Sequence, residues 1–71
     1  MEIMLNGKTQ QLADGSTAAD LVVTLGLTGK RVAMEINQEI LPRSQFQTHV
    51  LQPGDQVEVV HAIGGGLAKS L

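Results

Sequence analysis

One helical stripe can be read in this chain of 71 residues. Ala18, Leu21, Val22 and Leu25 recur at the spacing that puts side chains on a single helix face. Thr17 precedes the stripe and Asp20 follows three residues on, the pattern in which a hydroxyl and a carboxylate cap a first turn reciprocally. Gly26 is a stop signal and Gly29 a second one. A helix of about nine residues is too short to be stable alone in water. It must lay its apolar face on a sheet, so the rest of the chain has to provide strands.

Alternation supplies them. Met1, Ile3 and Leu5 fall on one face of a first strand, and Asn6-Gly7 is a strong hairpin signal because both turn positions need positive φ. Lys8 to Leu12 is a polar return strand suited to a sheet edge, and Asp14-Gly15 turns the chain towards the helix. From Arg31 to Asn37, Val32, Met34 and Ile36 face one way and Ala33 and Glu35 the other. Ile40-Leu41-Pro42 is short and extended, and Pro42, with no N–H to donate, belongs at an edge or outside the ladder. Ser44 to His49 is irregular or a single helical turn. Pro53-Gly54 makes the turn before a last strand, Gln56 to Ile63. The first and last strands are the most apolar and suit central positions. The reading is an α+β domain: a mixed sheet of four to five strands with one helix on one face.

Composition narrows the function. With Phe46 the single aromatic residue, the core must be aliphatic. Apolar residues at 42% suit a globular fold, and charged residues at 17% argue against disorder. The absence of cysteine excludes a disulfide-stapled module, a thiolate metal site and any cargo carried on a thiol of its own. Residues 1–5 lack the basic and apolar regions of a signal peptide, and no apolar run approaches a bilayer span, so a cytoplasmic location is expected. Net charge is −2 and the bases are scattered apart from Lys30-Arg31, without the stripe and aromatics of a nucleic-acid binder. His49 and His61 have no companions at metal-ligand spacing, and His61 reads as a strand end at the sheet rim. Ser16, Ser44 and Ser70 lie in no nucleophile context, and no Lys-Ser/Thr follows the glycines at phosphate-loop spacing. No metal, cofactor or enzymatic activity is expected.

What remains is the end of the chain. Val57 to Ile63 runs into Gly64-Gly65-Gly66. Without Cβ atoms such a run lets backbone approach another surface closely. A body over residues 1–63 followed by a flexible tail over 64–71 could thread that tail into another protein's active site. The alternative is an inert flexible end. Glu35, Glu39, Asp55 and Glu58 are a solvated face or a docking surface for a basic partner. Val60 and Ala62 should sit on the open side of the sheet, away from the helix. With Glu58 they form the expected partner-docking residues.

The order of elements and the terminal glycines resemble a β-grasp, or ubiquitin-like, domain. More closely, the chain resembles the ThiS family of sulfur carriers that feed thiazole formation in bacterial thiamine biosynthesis. The resemblance rests on Met1 to Leu5 with Asn6-Gly7, Val32 to Asn37 with Ile40-Leu41-Pro42-Arg43, Pro53-Gly54-Asp55-Gln56-Val57, and Ile63 to Gly66. It implies a terminal glycine carboxylate that a ThiF-like enzyme adenylates with ATP and magnesium. It further implies conversion to a thiocarboxylate by a sulfur-relay enzyme, and use by a ThiG-like thiazole synthase. Carried onto this sequence, Gly65 and Gly66 are the reactive terminus and Gly64 gives access to it. One departure stands out: Leu67-Ala68-Lys69-Ser70-Leu71 follows, so Gly66 here carries an amide carbonyl. The extension is read as a pro-segment removed by a protease, a gene-boundary feature, or the mark of a binding module without carrier activity. Rival readings are a molybdopterin synthase small subunit, a ubiquitin-like protein modifier and a structural domain.

Overall fold

The computed structural model describes residues 1–63 and 67–70. Its elements are β1 (Glu2–Leu5), β2 (Lys8–Gln11), α1 (Ala18–Thr24), β3 (Val32–Ile36), β4 (Glu39–Leu41), a 3₁₀ turn (Arg43–Gln45), β5 (Gln56–Ile63) and β6 (Leu67–Ser70). The strands form one six-stranded sheet in the order β2-β1-β5-β3-β4, with β6 paired to β5. β1 runs parallel to β5, and every other pair is antiparallel. The two most apolar strands, β1 and β5, are interior, and polar β2 is an edge, as the sequence leads one to expect.

Both ends of α1 are closed by local chemistry. The Thr17 hydroxyl accepts from the Asp20 N–H at 3.2 Å, and the Thr17 N–H donates to Asp20 Oδ2 at 2.9 Å. The two remaining free donors of the first turn go to the long connection after β4: Ala18 N–H to His49 O at 3.0 Å and Ala19 N–H to Phe46 O at 2.9 Å. At the other end Gly26 has φ 71, a left-handed value. Gly26 N–H then reaches Val23 O, and Leu27 N–H reaches Val22 O, both at 3.0 Å, the paired bonds of a Schellman stop. The helix itself is seven residues, shorter than the stripe suggests because Leu25 is its cap.

Alternation on the strands sorts the core. Ile3, Leu5, Met34, Ile36, Val57 and Val59 are buried on the face that receives Ala18 and Leu21. Phe46 and Leu51, from the connection, complete the same cluster. Leu51 is anchored by its N–H to Ser16 O at 2.9 Å, while the buried Ser16 hydroxyl turns back to Ala13 O at 2.6 Å. Ser16 is thus a turn residue.

Two further features differ from the sequence reading. β3 and β4 form a tight hairpin through Asn37 and Gln38, with φ of 51 and 70. These are the left-handed values that suit the twist of a hairpin. The turn has no glycine to announce it. Asn37 holds it from below, its Oδ1 accepting from Gln56 N–H at 3.0 Å and its Nδ2 donating to Asp55 Oδ1 at 3.1 Å. The second difference is β6. Residues 67–70, grouped by sequence with a flexible tail, pair antiparallel with β5 from Val60↔Ser70 to Ile63↔Leu67. The sheet therefore has six strands where four to five were expected. Gly64, Gly65, Gly66 and Leu71 lie outside the described residues.

Candidate functional site

β5 is the strand that leads to the glycine run, and its position is over-determined. On one side it pairs with β3 from Val57 to His61. On the other it pairs with β1 at Gln56 and Val57. Where β1 ends, the Asn6 side chain continues the ladder: Val59 N–H donates to Asn6 Oδ1 at 2.8 Å, and Asn6 Nδ2 donates to Val59 O at 3.0 Å. Asn6 thus serves both the hairpin turn and the central strand. Its second role is invisible in sequence, because the two residues are 53 positions apart.

The face of the sheet away from α1 carries the expected docking residues. Val57 and Val59 are buried under the helix, whereas Glu58 is exposed and Val60 and Ala62 are half-buried on the opposite side. Directly opposed residues share a face, so Ala33 stands beside Val60 and Glu35 beside Glu58. On the other flank of Glu35 stands Ile40, which is 78% exposed. Its place on this face went unseen in sequence, since it depends on the glycine-free hairpin. The open face is therefore an apolar strip of Ala33, Val60 and Ala62 running up to two adjacent carboxylates, with Ile40 at their side.

The carboxylates read from sequence as a solvated face or a docking surface take different places in the fold. Glu35 and Glu58 are cross-strand neighbours. Asp55 is committed to the turn before β5, accepting from Gln52 N–H at 2.8 Å and from Asn37. Around the far end of the strip the charge has the opposite sign, from Arg31 and Arg43: they line a shallow depression of about 300 Å³ there together with Ala33, Val60, His61 and Ala62. Acid thus sits at the start of β5 and base towards its exit. His61, read from sequence as a strand end at the rim, lies within β5 and is paired on both sides, with Val32 and with Lys69.

Among the described residues no three His, Asp or Glu side chains converge as metal ligands. No helix among them is long and apolar enough to cross a membrane. Gly65 and Gly66, expected to carry the chemistry, and Gly64, expected to give access to it, lie outside the described residues. The described part of the site is the strand that leads to them and the face around it.

A short helix clasped by a mixed sheet, whose interior strand β5 leads into glycine, defines a β-grasp domain of the ubiquitin-like class. Within that class the chain belongs to the ThiS family, whose model matches residues 3–66. The sulfur carrier protein ThiS of Escherichia coli is 38% identical over 66 residues, covering 93% of this chain and 100% of the relative. A thiazole synthase of Magnetococcus marinus is 42% identical over 66 residues; the match takes in 93% of this chain but 20% of that protein. The chain thus spans about a fifth of the length of that relative. Among solved structures, the thiamine biosynthesis protein ThiS from Geobacter metallireducens superposes with a TM-score of 0.77 at 30% identity, covering 93% of this chain and all of that one.

Proposed function

We infer that this chain is a sulfur carrier for thiazole formation in thiamine biosynthesis, with Gly66 as the residue that bears the sulfur once its carboxylate is free. One observation carries the reading: the family match ends at Gly66, the third glycine after β5, and a match of 66 residues covers the whole length of the Escherichia coli carrier. The chain is cargo-bearing and not itself a catalyst, a reading supported by its likeness to the proteins named as sulfur carriers.

The chemistry is supplied by partners. A carboxylate is a poor electrophile. An adenylating enzyme uses magnesium-bound ATP to convert it: a Gly66 carboxylate oxygen attacks the α-phosphorus, pyrophosphate leaves and an acyl-adenylate forms. Sulfur at the sulfide level then attacks the acyl carbon, AMP leaves and a thiocarboxylate remains, with the proton passing to solvent. The glycines admit this chemistry because no side chain obstructs a narrow pocket. Thiazole synthase is the acceptor. The likeness to a protein so named, in which this chain matches a fifth of the length, supports a carrier and synthase working as a pair. Glu58, Val60 and Ala62, with Ile40 and Glu35, form the docking face for the adenylating enzyme.

The test compares the 71-residue chain with one ending at Gly66. Each is mixed with the adenylating enzyme, magnesium ATP and inorganic sulfide, and its intact mass is measured. The shorter chain is expected to gain the mass difference between sulfur and oxygen. In the 71-residue chain Gly66 is an amide, and Leu71, which there bears the α-carboxylate, has a bulky side chain that a glycine pocket rejects. Equal gain by the 71-residue chain with Leu67 to Leu71 retained would remove Gly66 from the mechanism.

A further inference from the structure

The two edges of β5 are filled differently along its length. Gln56 O accepts from Asn37 N–H at 2.8 Å and Ala62 N–H donates to Arg31 O at 2.9 Å, so the even-numbered residues of β5 turn their backbone groups towards β3. Val57 O accepts from Asn6 N–H at 2.9 Å, and Val59 is bracketed by the Asn6 amide, so the odd-numbered residues turn theirs the other way. Strand geometry extends this alternation to His61 and Ile63. β1 stops short of them, and Asn6 reaches no further than Val59. Among the described residues it is β6 that meets this part of the edge, with His61 opposite Lys69 and Ile63 opposite Leu67.

We propose that β6 is an intramolecular latch: Leu67–Ser70 occupies, by strand addition, the edge of β5 at His61 and Ile63, and this strand must come away before the neighbouring glycines can be presented. The functional meaning of the latch rests on the carrier reading; its existence does not. Antiparallel partners stand roughly 4.5–5.5 Å apart, so Ile63 and Leu67 are held close. The same stretch of chain drawn out would span about 13–14 Å. A pocket that receives an extended tail cannot take one whose two flanks are paired in a sheet. Hydrolysis of the Gly66–Leu67 bond adds water across it, leaves the Gly66 carboxylate and a Leu67 ammonium, and cuts the covalent link between the latch and β5.

The device is suited to release. A strand of four residues that among the described residues pairs with β5 alone opens locally without global unfolding. Lys69 is exposed, a residue type that discourages further strands from adding outside it. Once β6 has left, the bare edge at His61 and Ile63 is a short acceptor for an extended segment of another protein.

Three chains test this: the 71-residue protein, the chain ending at Gly66, and the full-length Lys69→Pro variant. The chain ending at Gly66 retains every member of the buried core. Proline at position 69 removes the N–H that meets His61 and breaks the ladder without shortening the chain. Amide hydrogen exchange is read by NMR at His61, with Val59 as the internal reference because Asn6 holds it in all three. His61 is expected to exchange at least about tenfold faster in the truncated and proline chains than in the full chain, with Val59 unchanged. Equal exchange at His61 in the full and truncated chains overturns the latch. If that happens while the chain ending at Gly66 still gains sulfur, the carrier reading survives alone. If His61 is released as expected but no sulfur is gained, the latch stands and the carrier reading falls.

Discussion

Asn6 does two things at once. Its backbone, at φ 50, makes the first hairpin turn, and its amide fills the ladder position opposite Val59. Asn6→Gly keeps the turn and deletes the amide, leaving the N–H and C=O of a fully buried residue without partners. The expected loss is about 1–3 kcal/mol by urea denaturation; a smaller change would mean that water or a backbone shift replaces the amide. Glu58 is the converse case. It faces Glu35 directly across the strands, an arrangement that like charges disfavour. Glu58→Gln is expected to raise stability by a few tenths of a kcal/mol, to about 1 at most. It should at the same time weaken binding to the adenylating enzyme. A gain in stability with unchanged affinity would make the pair a tolerated defect and not a docking feature.

At the scale of elements, α1 shows how a seven-residue helix persists. Its first-turn donors are all taken, by Thr17 and by the connection at Phe46 and His49. Its last turn is closed at Gly26, and its inner face disappears into the sheet. Leu21, with no exposed surface, is the centre of that contact. Leu21→Ala should cost roughly 2–5 kcal/mol, the range for a large buried side chain cut back in a core that cannot fully collapse. Calorimetry or denaturant titration reads it. A cost under about 1 kcal/mol would mean that neighbours fill the space. The helix was legible in sequence down to its capping box, because caps and stripes are local. The β3–β4 hairpin was not, because Asn37-Gln38 takes up left-handed backbone without glycine and is held by Gln56 and Asp55 from another part of the chain.

For the whole molecule the carrier reading proposes two working regions: a face that docks and a strand end that presents. Val60→Asp in the chain ending at Gly66 places a charge in the apolar strip beside Ala33. Affinity for the adenylating enzyme is expected to fall at least about tenfold, a size common for central interface positions. Surface charges of opposite sign at the two ends of the strip should make association slow as salt is added. Isothermal titration and stopped-flow mixing measure the two effects separately. Unchanged affinity for the Val60→Asp chain would place the docking surface elsewhere.

Periodicity, capping and turn chemistry are carried by residues close together in the chain. Sequence alone therefore determined the helix, the interior strands, the aliphatic core, and the strand that runs into glycine. The tertiary structure decided what depends on distant partners. It put Ile40 next to Glu35, separated Asp55 from Glu58, set Asn6 against Val59, and laid Leu67–Ser70 along β5. The physical reason is that a strand's edge is defined by its neighbours. The alternation in Val57 to Ile63 says which side chains point inwards, but it holds no record of which backbone will meet the outward N–H and C=O groups.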